Sequence, residues 1–238
     1  MAGQRARPIK IAPSILAYDL SDLAAGLEIA TRGGADQIHL DVIDGRFAPN
    51  ITFGPGTVKA LRSRSKMKFD THLMISEPRL YVEKFIEAGS DLLTFQAEVL
   101  DAAAFDALES IVRSKGREIG LALRPETALP TWAEERLGAL SALLLLTVNP
   151  GFSGQAMDRS VLPKVERARR LADERGLALD IEVDGGIDAG NVREVAGRGG
   201  NVFVAGAGVY GRPDPVGAIA ELRSRAASAT AATRGGGA

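Results

Sequence analysis

The feature that most constrains this chain is an alternation that recurs eight times along it. Each unit is a short apolar segment followed by a longer segment whose apolar residues have helical spacing. The predicted strands are Ile9–Leu16, Gln37–Ile43, Lys68–Ile75, Leu92–Ala97, Glu118–Leu123, Ala142–Val148, Leu179–Val183 and Asn201–Ala205. The predicted helices are Asp19–Arg32, Pro55–Arg64, Arg79–Ala88, Ala102–Ser114, Trp132–Leu137, Asp158–Arg175, Asn191–Gly197 and Pro213–Arg225. Eight such units in 238 residues predict an α/β protein with a single-domain (β/α)8 TIM barrel.

A doubly wound open sheet is the structural alternative, because alternation of strands and helices does not by itself show that the sheet closes. The number of units favours the barrel. We expect the barrel to occupy residues 9–226, after a flexible N-terminal segment at residues 1–8. Residues 227–238 are rich in Ala and Gly and lack a periodic apolar face, so we expect a disordered tail there.

Charge and composition exclude several classes of function. The formal net charge is −1, which gives no electrostatic reason to expect nucleic acid or an anionic membrane as a partner. The sequence has no long apolar run and no apolar signal segment, so we expect a cytoplasmic protein without a transmembrane helix. There is no cysteine, so any metal ligands must come from His, Asp, Glu or water.

In a (β/α)8 barrel the functional residues lie at the C-terminal ends of the strands and in the loops that follow. Both histidines of the chain, His39 and His72, fall at such ends, as do Asp41 and Asp184. His39 and Asp41 are two residues apart on one strand, so they point to the same face. The alternative is a polar pair that caps an edge strand, or histidines satisfied in the core. Two imidazoles and two carboxylates from three strands favour a divalent-metal site.

Glycine clusters follow the last three predicted strands. They are Gly151-Phe152-Ser153-Gly154, Gly185-Gly186 and Gly206-Ala207-Gly208. Any one of them could serve only to close a tight turn. Three clusters on neighbouring strands favour a cradle of backbone N–H groups for an anion of phosphate size, a recurring feature of this barrel.

Motifs from most of the strands together resemble the ribulose-phosphate 3-epimerase family. They are Ser14, His39-Leu40-Asp41-Val42-Ile43-Asp44-Gly45, Pro49-Asn50, His72-Leu73-Met74, Asn149-Pro150-Gly151-Phe152, Gly154-Gln155 and Val183-Asp184-Gly185-Gly186. The resemblance extends from about Ile9 to Tyr210. It implies an isomerase of carbohydrate metabolism, in the pentose phosphate pathway, that interconverts D-ribulose 5-phosphate and D-xylulose 5-phosphate. It also implies a metal-dependent barrel, and family members are often homo-oligomers.

The resemblance assigns roles to individual positions. It implies that His39, Asp41, His72 and Asp184 bind one divalent metal ion, with Zn²⁺ as the first choice and Mn²⁺, Fe²⁺ or Co²⁺ also compatible. It implies that Asp41 and Asp184 are the paired acid and base. Epimerisation beside a ketone removes a proton from one face of the substrate and returns one to the other, which requires a carboxylate on each side. The metal would stabilise the enediolate formed between the two steps. The residues expected to contact the sugar phosphate are Ser14, His72, Met74, Gly151, Phe152, Ser153, Gly154, Gly185, Gly186, Gly206 and Ala207.

Four positions depart from the family pattern. Ile43 stands where methionine is usual, Gln96 replaces a common histidine, Ser153 interrupts a glycine-rich loop, and Ala207 replaces a serine. The reaction type is therefore expected to be kept, while an alternative function is 3-epimerisation of a different pentulose or hexulose phosphate.

Two further alternatives remain. A barrel aldolase or decarboxylase would need a lysine at a strand end, but Lys10 and Lys68 begin their strands. A non-catalytic sugar-phosphate-binding barrel would be marked by loss of a ligand or an acid/base residue, and none is lost.

Overall fold

Eight strands form where the apolar segments predicted them, and they belong to one sheet. The structure is a computed structural model and describes residues 7–235. The strands are β1 (Lys10–Pro13), β2 (Gln37–Ile43), β3 (Lys68–Met74), β4 (Leu92–Gln96), β5 (Glu118–Leu123), β6 (Ala142–Leu146), β7 (Asp180–Asp184) and β8 (Val202–Ala205). Each ladder is parallel, because a helical connection returns the chain to the starting edge after every strand.

The sheet closes on itself. Its strand order is β1-β8-β7-β6-β5-β4-β3-β2. The two ends of this order, β1 and β2, are joined by a parallel bridge between Ser14 and His39. The predicted (β/α)8 barrel is therefore confirmed, and the open-sheet alternative is wrong.

Helices surround the barrel. Among the described residues they are α1 (Leu23–Arg32), α2 (Pro55–Arg62), α3 (Val82–Ala88), α4 (Ala102–Ser114), α5 (Thr131–Glu135), α6 (Leu162–Glu174), α7 (Val192–Gly197), α8 (Ala207–Tyr210) and α9 (Pro215–Gly235). The short helix α8 was not predicted, and it begins directly after the last strand. None of the helices between residues 7 and 235 has both the length and the apolar character that crossing a bilayer requires.

Several predicted boundaries shift for local reasons. β1 ends at Pro13, since the chain turns into a 3-10 helix at Ile15–Ala17. α1 begins at Leu23 because the Asp22 carboxylate accepts a hydrogen bond from the N–H of Ala25 and caps the helix. The last helix continues to Gly235 instead of ending near Arg225.

That extension changes the description of the predicted tail. Residues 227–235 are helical, whereas residues 236–238 lie outside the described residues. Residues 1–6 of the predicted N-terminal segment also lie outside them. The bounds of the barrel domain, residues 9–226, stay a prediction.

The two faces of the barrel strands differ in chemistry. Their outward residues, such as Leu40 and Phe69, pack against the helices in one large hydrophobic cluster. The interior contains only small apolar clusters, one of which is Ala122, Leu144 and Leu146. The remaining interior space near β2, β3 and β7 is occupied by polar side chains, which an ordinary packed barrel would replace with branched apolar residues.

Candidate active site

The polar side chains of the barrel interior come from adjacent strands in matched register. The ladder between β2 and β3 pairs His39 with Asp70 and Asp41 with His72. Because alternate residues of a strand share a face, all four point inward. Asp184, at the end of β7, reaches the same region from across the barrel.

Four of these side chains form a cage. Nε2 of His39 lies 3.3 Å from Oδ1 of Asp41 and 3.8 Å from Oδ2 of Asp184. Nδ1 of His72 lies 3.5 Å and 3.8 Å from the same two oxygens. One potential ligand atom of each residue therefore lies within 4.8 Å of the other three. The structure thus brings together the four residues that were predicted to bind metal.

The cage fits a divalent metal ion. Nε2 of His39 and Nδ1 of His72 are buried and have no hydrogen-bond partner within residues 7–235. A buried polar atom without a partner costs about 1–3 kcal/mol, so two facing each other call for a ligand between them. Two imidazole nitrogens and two carboxylate oxygens are a donor set that zinc and other first-row divalent ions accept. This donor set does not select one ion from among them.

A second layer of buried polar groups supports His39 from below. Nδ1 of His39, on the ring edge away from the cage, lies 2.7 Å from Oδ2 of Asp70. Asp70 also accepts a hydrogen bond of 3.0 Å from Nε2 of Gln37, and Oε1 of Glu182 lies 3.5 Å from Nδ1 of His39. An N–H donated to a carboxylate fixes the ring tautomer and leaves Nε2 free to bind a cation.

Sequence analysis did not identify Gln37, Asp70 and Glu182. Each of them precedes a predicted ligand by two residues on the same strand. Alternate residues of a strand share a face, which is why His39 and Asp41 were expected to point the same way. The same rule places these three side chains on the interior face. Burial raises the pKa of Glu182 well above its ordinary value, and the charge of Asp70 adds to this effect. Both effects favour the neutral form of Glu182.

The two carboxyl groups of the cage have opposite pKa shifts. Burial alone would raise the pKa of Asp41, but the neighbouring His39 and His72 hold it well below its ordinary value. Oδ2 of Asp41 also accepts a hydrogen bond of 2.5 Å from the Ser14 hydroxyl. By contrast, burial raises the pKa of Asp184 to about 7, with a further contribution from the negative charge of Asp41. Two carboxyl groups whose environments separate their pKa values form a pair suited to act as acid and base.

A cavity of about 600 Å³ opens above the cage, a volume typical of small-molecule sites. Asp41 and Asp184 line it. So do the following predicted substrate residues: Ser14, Met74, Gly151, Phe152, Ser153, Gly154, Gly185, Gly186, Gly206 and Ala207. The predicted substrate residue His72 does not, because its side chain is fully buried and lies beneath the cavity.

One end of the cavity is built from closely packed backbone. Gly186 has φ 64°, and a Cβ atom there would lie 2.5 Å from the backbone nitrogen of Met157. A Cβ atom at Gly208 would overlap the carbonyl oxygen of Ile187. Glycine is therefore required for the loops after β6, β7 and β8 to approach each other. Arg159 and Arg212, which were not predicted, line this cavity too and bring positive charge to it.

The other wall is apolar and joins the loop after β2 to the loop after β6. Ile43 and Met74 pack there in a cluster with Ala48. Nδ2 of Asn50 donates a hydrogen bond of 2.7 Å to the carbonyl oxygen of Gly151. The cavity thus combines an apolar wall, a carboxylate pair and a glycine-rich end with arginines, which suits a small polar molecule with an anionic end.

Comparison with known proteins gives a consistent family. The sequence profile of the Ribulose-phosphate 3 epimerase family matches residues 10–210. The ribulose-phosphate 3-epimerase of Bacillus subtilis (strain 168) is 43% identical over 216 residues, which cover 90% of this chain and 98% of that protein. The ribulose-phosphate 3-epimerase of Mycobacterium tuberculosis (strain ATCC 25618 / H37Rv) is 39% identical over 230 residues, covering 97% of this chain and 98% of that protein.

Solved structures of other barrels share the fold. The 3-hexulose-6-phosphate synthase of Salmonella typhimurium superposes with a TM-score of 0.71 at 18% sequence identity, covering 93% of this chain and 100% of that one. KGPDC from Streptococcus mutans superposes with a TM-score of 0.66 at 18% identity, covering 93% of this chain and 99% of that one. At such low identity the likeness establishes the fold alone.

Proposed function

The chain belongs to the ribulose-phosphate 3-epimerase family and is an epimerase of carbohydrates, and on that premise we propose that it interconverts D-ribulose 5-phosphate and D-xylulose 5-phosphate through Asp41 and Asp184. The observation that carries the proposal is the carboxylate pair itself. Both groups line one cavity, and their pKa values are shifted in opposite directions.

The two carboxyl groups divide the proton transfers between them. Asp41, which is ionised and accepts a hydrogen bond from Ser14, removes the proton from C3 of the substrate. Asp184, whose pKa is raised by burial and by the charge of Asp41, is the acid of the pair and delivers a proton to the opposite face of the same carbon. At the end of the reaction the two residues have exchanged protonation states. The reverse reaction therefore begins with Asp184 as the base and Asp41 as the acid.

We propose that a divalent cation is held by His39, Asp41, His72 and Asp184, whose ligand atoms converge. When bound there, it supplies Lewis-acid stabilisation for the negative charge that develops on the substrate oxygens. Asp70 keeps the His39 ring oriented through its contact with Nδ1.

The phosphate group is proposed to bind at the glycine-rich end of the cavity. Backbone from the segments Gly185–Gly186 and Gly206–Gly208 lines this end, and Arg159 and Arg212 line the same cavity. Ser153 brings a hydroxyl group to the cavity, and it can replace the one that Ala207 lacks. In this proposed arrangement the carbon chain of the sugar lies between the bound phosphate group and the two carboxyl groups.

The decisive experiment is isotope exchange. Protein loaded with Zn²⁺ is incubated with D-ribulose 5-phosphate in D₂O, and the products are followed by NMR. We expect deuterium to enter at C3 together with formation of D-xylulose 5-phosphate. The Asp184→Asn variant should form no D-xylulose 5-phosphate, because it has no group that delivers a proton to the opposite face of C3, whereas Asp41 can still return a deuteron to the face that it deprotonates.

Asp180→Asn is the matched control, because it makes the same change at the other end of β7, where Asp180 pairs with Lys10 at 2.6 Å. It should form D-xylulose 5-phosphate at the wild-type rate. Formation of D-xylulose 5-phosphate by Asp184→Asn at the wild-type rate would remove that residue from its role. Kinetics on a panel of pentulose and hexulose phosphates test the substrate separately, and a clear preference for another ketose phosphate would replace ribulose 5-phosphate in the proposal.

A further inference from the structure

The second histidine of the cage, His72, has a buried partner of its own. Nε2 of His72, on the ring edge away from the cage, lies 2.6 Å from the side-chain amide of Gln96 on β4. Both side chains are fully buried. His72 is thus supported by a neutral amide, whereas His39 is supported by the carboxylate of Asp70.

The amide of Gln96 is confined by its neighbours. In the ladders, His72 is opposite Thr94, and Gln96 is opposite Ala122 on the next strand. The small side chain of Ala122 leaves room for the longer one of Gln96 inside the barrel, where Ala122 packs with Leu144 and Leu146. A long side chain that is fully buried in such a site is held in one place by packing.

The side-chain amide of Gln96 carries both a donor and an acceptor, so it can serve either tautomer of the His72 ring. In the arrangement in which the amide nitrogen faces Nε2 of His72, Nε2 accepts a hydrogen bond and the ring proton lies on Nδ1. That proton would point at Oδ1 of Asp41, 3.5 Å away. A cation can bind Nδ1 only when the proton is on Nε2 instead, and Nε2 then needs an acceptor.

A half-turn of the amide exchanges the positions of its oxygen and nitrogen and so provides that acceptor. The side-chain oxygen of Gln96, which has no hydrogen-bond partner in the present orientation, would take the place of the nitrogen. We propose that Gln96 is the positioning residue of His72, and that its amide changes from donor to acceptor at Nε2 when a divalent cation enters the cage. This inference rests on the proposed metal site, although its test does not depend on catalysis.

The first measurement is the affinity of the purified protein for Zn²⁺, in competition with a chromogenic chelator. Gln96→Leu, which can neither donate nor accept, should bind Zn²⁺ about 10- to 100-fold more weakly. Gln96→Glu, which keeps an acceptor oxygen whether or not its carboxyl group is protonated, should bind within about 3-fold of wild type or more tightly. Thr94→Val is the matched control, because it changes another buried interior residue of β4 and should leave the affinity unchanged.

The second measurement is ¹⁵N NMR of the His72 ring at about pH 8 in wild-type protein. The metal-free protein should show the proton on Nδ1, and the Zn²⁺-loaded protein should show it on Nε2. An unchanged affinity in a folded Gln96→Leu variant, or the same tautomer with and without Zn²⁺, would overturn the inference. If wild-type protein bound no Zn²⁺, the proposed metal site would fail instead, and a proton on Nε2 in the metal-free protein would still refute the orientation assigned to Gln96.

Discussion

Replacing Asp184 by asparagine is expected to stabilise the metal-free protein at neutral and alkaline pH. Burial, together with the charge of Asp41, raises the pKa of Asp184 from 3.8 to about 7. Since one pKa unit corresponds to about 1.4 kcal/mol, ionising Asp184 in the folded state costs up to about 4 kcal/mol. Asparagine has a similar shape and no charge, so the variant avoids this cost.

The sign of the pH dependence follows from proton binding. The folded protein holds the Asp184 proton more tightly than the unfolded chain does. The cost is therefore absent below about pH 4, increases as the pH rises, and is complete above about pH 7. The free energy of unfolding of the variant should exceed that of wild type by an amount that grows across this window.

Urea unfolding at a series of pH values, with a chelator present throughout, measures this difference. The control is Asp106→Asn, which removes an exposed carboxylate whose pKa is lowered by its hydrogen bond to Arg136. That group stabilises the folded state above its unfolded pKa, so the control should have the opposite sign and a small size. Parallel stability curves for wild type and Asp184→Asn between pH 4 and about pH 8 would refute the assigned pKa shift. Addition of Zn²⁺ should reverse the order, because a bound cation stabilises the ionised carboxylate of wild type.

Two further predictions concern the support of the site. Asp70→Leu removes the acceptor that lies 2.7 Å from Nδ1 of His39. Zn²⁺ affinity, measured by chelator competition, should fall by about 10- to 100-fold. An unchanged affinity would contradict the role of Asp70. Gly186→Ala should raise KM for the phosphorylated substrate and lower the Tm more than Gly176→Ala does. The two glycines have φ angles of 64° and 63°, but only at Gly186 does the added Cβ meet backbone, 2.5 Å from the nitrogen of Met157. Equal effects of the two substitutions would contradict the close approach.

The fold could be predicted from the sequence because its signal is local. Each strand and helix has its own apolar period, and the eight units specify the barrel before any long-range contact is known. The boundaries were less predictable, because they depend on caps such as the Asp22 carboxylate at the start of α1. The end of α9 was missed since residues after Arg225 lack an apolar face, although their Ala-rich composition favours a helix.

The site residues could be predicted where the alternation of residues along a single strand indicates them. The contacts between loops that are distant in the sequence were less predictable. His39 and Asp41 are visible as an alternating pair on β2, and the same period could have identified Asp70. The contact of Asn50 with Gly151 joins residues 101 positions apart, and no local pattern indicates it. The opposite pKa shifts of the two aspartates depend on distances to His39 and His72, which a sequence does not contain.

The unequal partners of the two histidines have an electrostatic consequence. Burial alone would lower the pKa of His39, but the charges of Asp70 and Asp41 raise it well above its ordinary value. A divalent cation in the cage would replace the proton that this ring holds. A carboxylate in place of Gln96 would add a further negative charge at Nε2 of His72. That charge would strengthen cation binding, but it would also make Asp184 a stronger base that releases its proton less readily. The neutral amide supports His72 without this effect, so Gln96→Glu should retain metal affinity while slowing the formation of D-xylulose 5-phosphate.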